Sequence, residues 1–334
     1  WSSPRRELDR LWPSEPRYWQ LIAAKRRLQN QPDSASPVVI PPGPVMRPGM
    51  TDLRVPLLRR RLSLPQEENE IYDMVVADAV TAFQNLSNLQ PDGQAGRQTI
   101  EMLNKTRADR LDQLDANLER WRWLPASLPR RHILVNVAGF QLNAIHGGLM
   151  EVTMRVIVGR DTRATPTLQQ DLQYLVFNPY WEIPEKLAVE DKLPELRKDP
   201  ARLSRHGVEA ALIGSDDMVP VDQIDWSYVA DTPFPYHLRQ LPGPFNPLGR
   251  LKFMLPNNHA IYLHDTPDPK LFEKCERSFS AGCVRVADAI QLAEWVLQFQ
   301  NEVWSRDRIE TRITSSETST VILDTPIPVF IVYL

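Results

Sequence analysis

The hydrophobic period of this chain changes between Trp121 and Arg131, and no single layer of secondary structure can serve both sides of the change. Upstream the spacing is helical. Val76, Val80, Phe83 and Leu86 fall on one face, Ile100 and Leu103 make a second short apolar edge, and Leu111, Leu114, Leu118 and Trp121 repeat until Pro125 stops the run. Downstream, "RHILVNVAGFQLNAI" alternates as a strand, "HGGL" supplies the glycines of a turn and "MEVTMRVIVG" alternates again, the pattern of a β-hairpin opening a sheet-rich domain. At 334 residues the chain also exceeds one ordinary core. Both facts predict a multidomain α+β protein.

Thirty prolines against thirteen glycines make the connections stiff. The segment "PRYWQLIAAKRRLQN" reads as a short helix, and "QPDSASPVVIPPGPVMRPGM" after it as an extended strap, which puts a boundary near residue 48. Residues 49–104 read as a small helical domain broken by the turn "PDGQAG", residues 105–130 as a linker helix, and residues 131–334 as the sheet-rich domain. Inside the last, residues 178–243 lose strand rhythm and form a lid or an inserted subdomain. Strand-like runs return in "RLKFML" and "AIYLHD". A helix then carries Ala289, Leu292, Ala293, Val296 and Leu297 on one face behind Asp288 as N-cap, and "TPIPVFIVYL" is a final strand.

Charge is balanced, 39 Lys and Arg against 42 Asp and Glu, so no global field marks a nucleic-acid binder. The clusters "LLRRRL" and "AAKRRL" interleave leucine at helical spacing and read as solvated faces. Nothing approaches the roughly 18 consecutive apolar residues of a membrane helix. The chain opens on Trp1 without a basic and apolar leader, so any targeting segment is absent from it.

The chemistry gathers around "ERSFSAGCVRV". Cys283 is a buried apolar filler, half of a disulfide with Cys275, or a nucleophile. As a strand, "AIYLHD" puts Ile261 and Leu263 on one face and Tyr262 and His264 on the other. The small residues Ala281 and Gly282 would admit a substrate to the sulfur, the backbone N–H groups of Gly282 and Cys283 would meet an oxyanion, and the following helix would lower the thiol pKa with its dipole. A cysteine paired with a histidine is the logic of covalent acyl transfer. A zinc site is disfavoured by the lack of a CxxC pair or an HExxH helix.

A histidine on a strand followed, after fifteen intervening residues, by "SAGCVR" resembles the active-site signature of the L,D-transpeptidases, cysteine enzymes that cross-link bacterial peptidoglycan. Residue by residue, Cys283 matches the family nucleophile, His264 its general base, and Ser280, Gly282 and Arg285 the framing positions. Ala281 departs, since many members have histidine there. "VGRDTRATP", "NPYWEIP" and "GPFNPLGRLKF" are similar to segments of large periplasmic members with a capping subdomain. "AVTAFQNLSNLQPDGQAGRQTIEMLN" is similar to the three-helix peptidoglycan-binding domain, and residues 1–48 resemble the remnant of a helical scaffold. The resemblance implies a β-rich catalytic domain with an inserted cap, and 3→3 cross-linking through a cysteine thioester with release of D-alanine from a tetrapeptide. It implies periplasmic location by export or membrane anchoring, acylation by carbapenems, possible association with cell-wall synthesis proteins, and no metal or organic cofactor. An L,D-carboxypeptidase using the same dyad and a non-catalytic wall-binding protein are the alternatives.

Other residues carry two readings each. Tyr262 is sheet filler or an active-site wall near the oxyanion. Arg285 pairs with a nearby acid, or positions the motif and binds a carboxylate of the stem peptide. Trp181, with Trp226, Tyr228, Phe234 and Tyr236, is core of the insertion or the inner side of a cap closing on a peptide.

Overall fold

The computed structural model describes residues 12–31, 38–66 and 69–334, so part of the expected strap lies outside the described residues. The chain divides into two units, residues 1–128 with 274–276 and 333–334, and residues 129–273 with 277–332.

Among the described residues of the first unit are five helices: α1 (Pro16–Gln29), α2 (Val55–Arg61), α3 (Met74–Leu86), α4 (Arg97–Leu103) and α5 (Arg107–Arg122). Pro16 starts α1 where its missing N–H costs nothing, and α5 starts on a capping box of Thr106 and Asp109. The two pack together through Tyr18, whose hydroxyl receives a hydrogen bond from Arg122 Nε at 3.3 Å, and through Arg17 over the Trp121 ring at 5.3 Å. Helices α2 to α4 enclose a core of Val55, Leu58, Tyr72, Val76, Val80, Ile100 and Leu103. Ile40 and Met46 join that core, so the helical module reaches back across the expected boundary at 48. Gln84 holds its turn, donating to Asp92, the Gln94 carbonyl and Thr99 while accepting the Gly93 N–H at 3.0 Å. Two expectations change here. Leu86 ends α3 exposed, and Arg59 of "LLRRRL" is buried against Asp73 because helical spacing turns one of three consecutive arginines inward.

The second unit holds thirteen strands. Nine form one sheet: β1 (Arg131–Asn136), β2 (Gln141–His146), β3 (Leu149–Gly159), β4 (Leu168–Phe177), β9 (Leu251–Met254), β10 (Leu263–His264), β11 (Ser278–Ser280), β12 (Val284–Val286) and β13 (Ser319–Val332). Their order is β11-β3-β12-β10-β9-β4-β13-β1-β2, and β3 also pairs with β2, so the ladder closes on itself. The stretch read as one alternating strand is two. Phe140, at φ +50°, turns the chain between β1 and β2, and both strands bury four successive residues because each face is covered. Helices α8 (Ala289–Leu297) and α9 (Arg306–Thr314) pack on each other, with Asp288 capping α8 through the Gln291 N–H at 2.8 Å.

The insertion is a subdomain with its own core. Strands β5 (Trp181–Ile183), β6 (Val208–Leu212), β7 (Val219–Pro220) and β8 (Tyr236–Gln240) form a second sheet ordered β5-β8-β6-β7, packed with α6 (Leu193–Lys198) and α7 (Pro200–Arg205). Trp226 and Phe234 are core there, Tyr236 is half-buried, and Tyr228 is exposed. Its strand rhythm is illegible because the strands are two to five residues long, too short for alternation to repeat. Among the described residues no helix is long and apolar enough to cross a membrane.

Candidate active site

Strand register places the chemistry. Parallel pairing of β10 with β12 sets Leu263 beside Val284 and His264 beside Arg285, while β9 sets Lys252 on the other flank of His264. One residue earlier the Tyr262 carbonyl accepts the Val284 N–H at 3.1 Å, which draws Tyr262 level with Cys283. Since side chains alternate, Lys252, His264 and Arg285 form a row on the face that also carries Tyr262 and Cys283. Ring contacts agree: Tyr262 and His264 meet edge to face at 5.6 Å, and Lys252 Nζ lies 4.1 Å from the centre of the Tyr262 ring.

This face floors a cavity of about 820 Å³ roofed by the inserted subdomain, and Cys283, His264, Tyr262, Ser280, Gly282, Arg285 and Trp181 all line it. Both cysteines are free thiols. Cys283 is half-buried, its thiol directed at the Ala260 carbonyl at 3.4 Å. Burial pushes that thiol above its ordinary value, against the N–H and hydroxyl of Tyr262 and the charges of Lys252 and Arg285, which favour the thiolate. The expected dipole effect is overruled: β12 separates the sulfur from α8, and the Asp288 carboxylate already occupies that helix end.

His264 is 4 % exposed, and its Nδ1 lies 2.6 Å from the Asp265 carbonyl. That oxygen can only accept, so in the neutral ring Nδ1 carries the proton and Nε2 is the free base. Burial, then the charges of Arg285 and Lys252, hold the imidazole down at about 3 despite its bond to the Asp265 carbonyl. The resting pair is therefore a thiol and a neutral imidazole.

The nucleophile loop is pinned from two sides. Ser280 Oγ donates to the Cys283 carbonyl at 2.6 Å and accepts the Gly282 N–H at 3.1 Å, so Gly282 is not the oxyanion donor expected of it. Its φ of +122° is what glycine supplies. Thr165 Oγ1 donates to the Gly282 carbonyl at 2.7 Å and accepts the Gly159 N–H at 2.9 Å. Fixing that carbonyl fixes the peptide plane and turns the Cys283 N–H the opposite way, where no described residue accepts it. It is the candidate oxyanion donor, while the Tyr262 N–H is directed at the sulfur.

Thr165, Arg163 and Lys252 escaped the sequence reading. Arg163 reaches from the same loop to Asp191 at 2.7 and 3.0 Å and to Glu190, both on a π-helical turn of the cap. One loop thus ties the cap to the nucleophile loop. The available signal for Lys252 was a charge inside the apolar strand "RLKFML". Replacing Thr165 by Val should lower the acylation rate by roughly 10-fold or more, the cost of losing an oriented donor, with KM little changed and with Thr165→Ser restoring most of the rate. A rate for Thr165→Val equal to wild type in stopped-flow acylation would remove the residue from this role.

Residues 130–329 match the family model described as "L,D-transpeptidase catalytic domain", and residues 56–103 match the "Putative peptidoglycan binding domain". The chain belongs to the L,D-transpeptidase family. A Haemophilus influenzae protein named "Putative L,D-transpeptidase" is 34 % identical over 254 residues, covering 75 % of this chain and 50 % of that protein. The chain thus spans about half the length of that L,D-transpeptidase relative. L,D-transpeptidase 3 from Mycobacterium tuberculosis superposes at 12 % identity and a TM-score of 0.29, covering 61 % of this chain and 62 % of that one. The L,D-transpeptidase from Xylanimonas cellulosilytica does so at 15 % and 0.25, covering 90 % and 100 %. Superpositions this loose carry no structural argument.

Proposed function

We propose that the protein is a peptidoglycan L,D-transpeptidase acting through a Cys283 thioester. The observation that carries the reading is the sheet face on which register aligns Cys283, Tyr262 and His264 under a cap, inside the matched catalytic domain. His264 Nε2 takes the thiol proton as the sulfur attacks the carbonyl of the L-centred third residue of a tetrapeptide stem. The oxyanion settles against the N–H group of Cys283. Collapse breaks the peptide bond, the departing D-alanine amine takes the proton from the imidazolium, and a thioester remains. A diaminopimelate side-chain amine then attacks the thioester, His264 removes its proton, and a 3→3 amide forms as the thiol is regenerated. The cap roofs the site against water, which would otherwise compete for the thioester.

Carbapenems would acylate the same sulfur, and the substrate implies a periplasmic site reached by export or anchoring, in the company of cell-wall synthesis proteins. Incubating the protein with purified tetrapeptide muropeptide and separating the products tests the reading. A cross-linked dimer is expected; tripeptide alone would make it an L,D-carboxypeptidase, and unchanged substrate would leave a wall-binding protein.

A further inference from the structure

Cys283 must lose its proton in a half-buried place where the usual sources of help are absent. Burial pushes the thiol up, β12 keeps it from α8, and His264 is neutral at rest. Two cations remain on this sheet face. Arg285 stands level with His264 on β12, on the side of the imidazole away from β9. Lys252 stands on β9, level with Val176 of β4 on one side and with His264 of β10 on the other. Its ammonium folds over a ring instead of reaching for an acid: Nζ lies 4.1 Å from the centre of Tyr262, and no described residue gives it a hydrogen bond or an ion pair. Lys192, the other lysine found over a ring among the described residues, pairs with Glu195 at 3.7 Å. Burial lowers the Lys252 pKa, so the cation is kept there against a desolvation penalty that methionine, of similar length, would avoid. Tyr262, 9 % exposed, is fixed between that ammonium on its face and His264 at its edge, and its hydroxyl is directed at the Cys283 sulfur. Tyr262 lines the cavity and Lys252 does not, so Lys252 acts on the sulfur from across the ring.

We infer that Lys252 is a positioning residue for the nucleophile: its ammonium holds the Tyr262 ring with the hydroxyl on the Cys283 sulfur and strengthens that donor as the sulfur becomes anionic. The inference rests on the reading of Cys283 as nucleophile and adds to it the source of the positive charge. A cation on the face of a phenol draws electron density from the ring and its oxygen, which makes the O–H a better donor. When the thiol gives its proton to His264 Nε2, that O–H meets the new charge on sulfur. In the second half-reaction the same contact favours sulfur as the leaving group when the amine expels it. The attraction is reciprocal, since the thiolate raises the Lys252 pKa and Lys252 lowers that of the thiol. Of the other elements packed around Lys252, β4 brings only the uncharged Val176 level with it, β5 of the cap brings the field of Glu182, and Arg285 acts from beyond His264.

Alkylation of Cys283 by iodoacetamide, resolved from Cys275 by peptide mass spectrometry, reads the thiolate against pH with no turnover of substrate. Below the thiol midpoint, Lys252→Met should react about 3- to 10-fold more slowly than wild type, the range of a partly desolvated cation–π contact, and its midpoint should rise by about half to one pH unit. Lys252→Arg, which keeps the charge and stacks on the ring, should restore most of the rate. In a Tyr262→Phe background Lys252→Met should lose most of its effect, because the hydroxyl it acts through is gone. The melting temperature of Lys252→Met should not fall, which separates this role from a structural one; Lys252→Gln gives the same readings if the methionine variant fails to fold. A wild-type alkylation profile in a folded, uncharged variant overturns the inference, as does an equal loss in Lys252→Arg or an undiminished effect in Tyr262→Phe. The expected shifts in a protein that leaves tetrapeptide muropeptide unchanged would uphold the role of Lys252 and sink the transpeptidase reading alone.

Discussion

Exposed to meropenem, the wild-type protein should gain the mass of one intact carbapenem, and the Cys283→Ala protein should gain none. The β-lactam carbonyl is an acyl donor, and ring opening transfers the acyl group to the attacking atom without a leaving fragment, so the adduct reports the nucleophile directly. The other thiol is a built-in control. Cys275 lies outside the cavity, directing its sulfur at the Leu89 carbonyl at 3.3 Å. It lacks the neighbouring base and the oxyanion donor, so the complete loss of the adduct is expected from one substitution. An adduct on Cys283→Ala by intact-protein mass spectrometry would refute the assignment of the nucleophile. Stability should change little, because the side chain is half-buried and alanine preserves the backbone of the loop.

His264→Gln should lower the acylation rate by about 10²- to 10⁴-fold, the range of a positioned general base, while the thiol remains titratable by a small disulfide reagent. The pH dependence is the sharper readout. Because the folded imidazole titrates at about 3, it stays neutral throughout the physiological range, and kcat/KM should show no acid limb near pH 6.5. Such a limb would mean that a resting thiolate–imidazolium pair, or a His264 with ordinary basicity, governs the reaction. The same group contributes to stability with a definite sign. Its folded value lies below the unfolded value of 6.5, so the unfolded chain takes up a proton that the folded chain refuses between those limits. The contribution is present above pH 6.5 and is lost as pH falls toward 3. Melting curves at pH 7 and pH 4.5 should therefore show a larger acid loss in wild type than in His264→Gln.

Much of the site was legible one residue at a time. Alternation in "AIYLHD" is a local property of an extended backbone, so it sufficed to put Tyr262 and His264 on one face. Small residues beside Cys283 and the N-cap at Asp288 are equally local, and both reappear in the structure. The errors were of another kind. Gly282 looked like an oxyanion donor because its N–H is always available in principle; only the folded loop shows Ser280 taking it. The helix after Cys283 looked like a source of positive field, yet three residues of strand stand between them. Lowering of the thiol pKa followed from motif logic, whereas burial, a property of the whole cavity, reversed its direction.

By itself the sequence determined the change from helical to alternating period, the placing of Tyr262 and His264 on one face, and the helix that follows Cys283, because these depend on neighbours within a few residues. Tertiary structure decided which strands lie side by side. Lys252 comes level with His264, and His264 with Arg285, only because β9, β10 and β12 are adjacent in a sheet whose order is far from chain order. Thr165 reaches Gly282 across 117 positions of sequence for the same reason. Hydrogen-bond register between distant strands is set by closure of the whole sheet, a long-range constraint that no short window of residues contains.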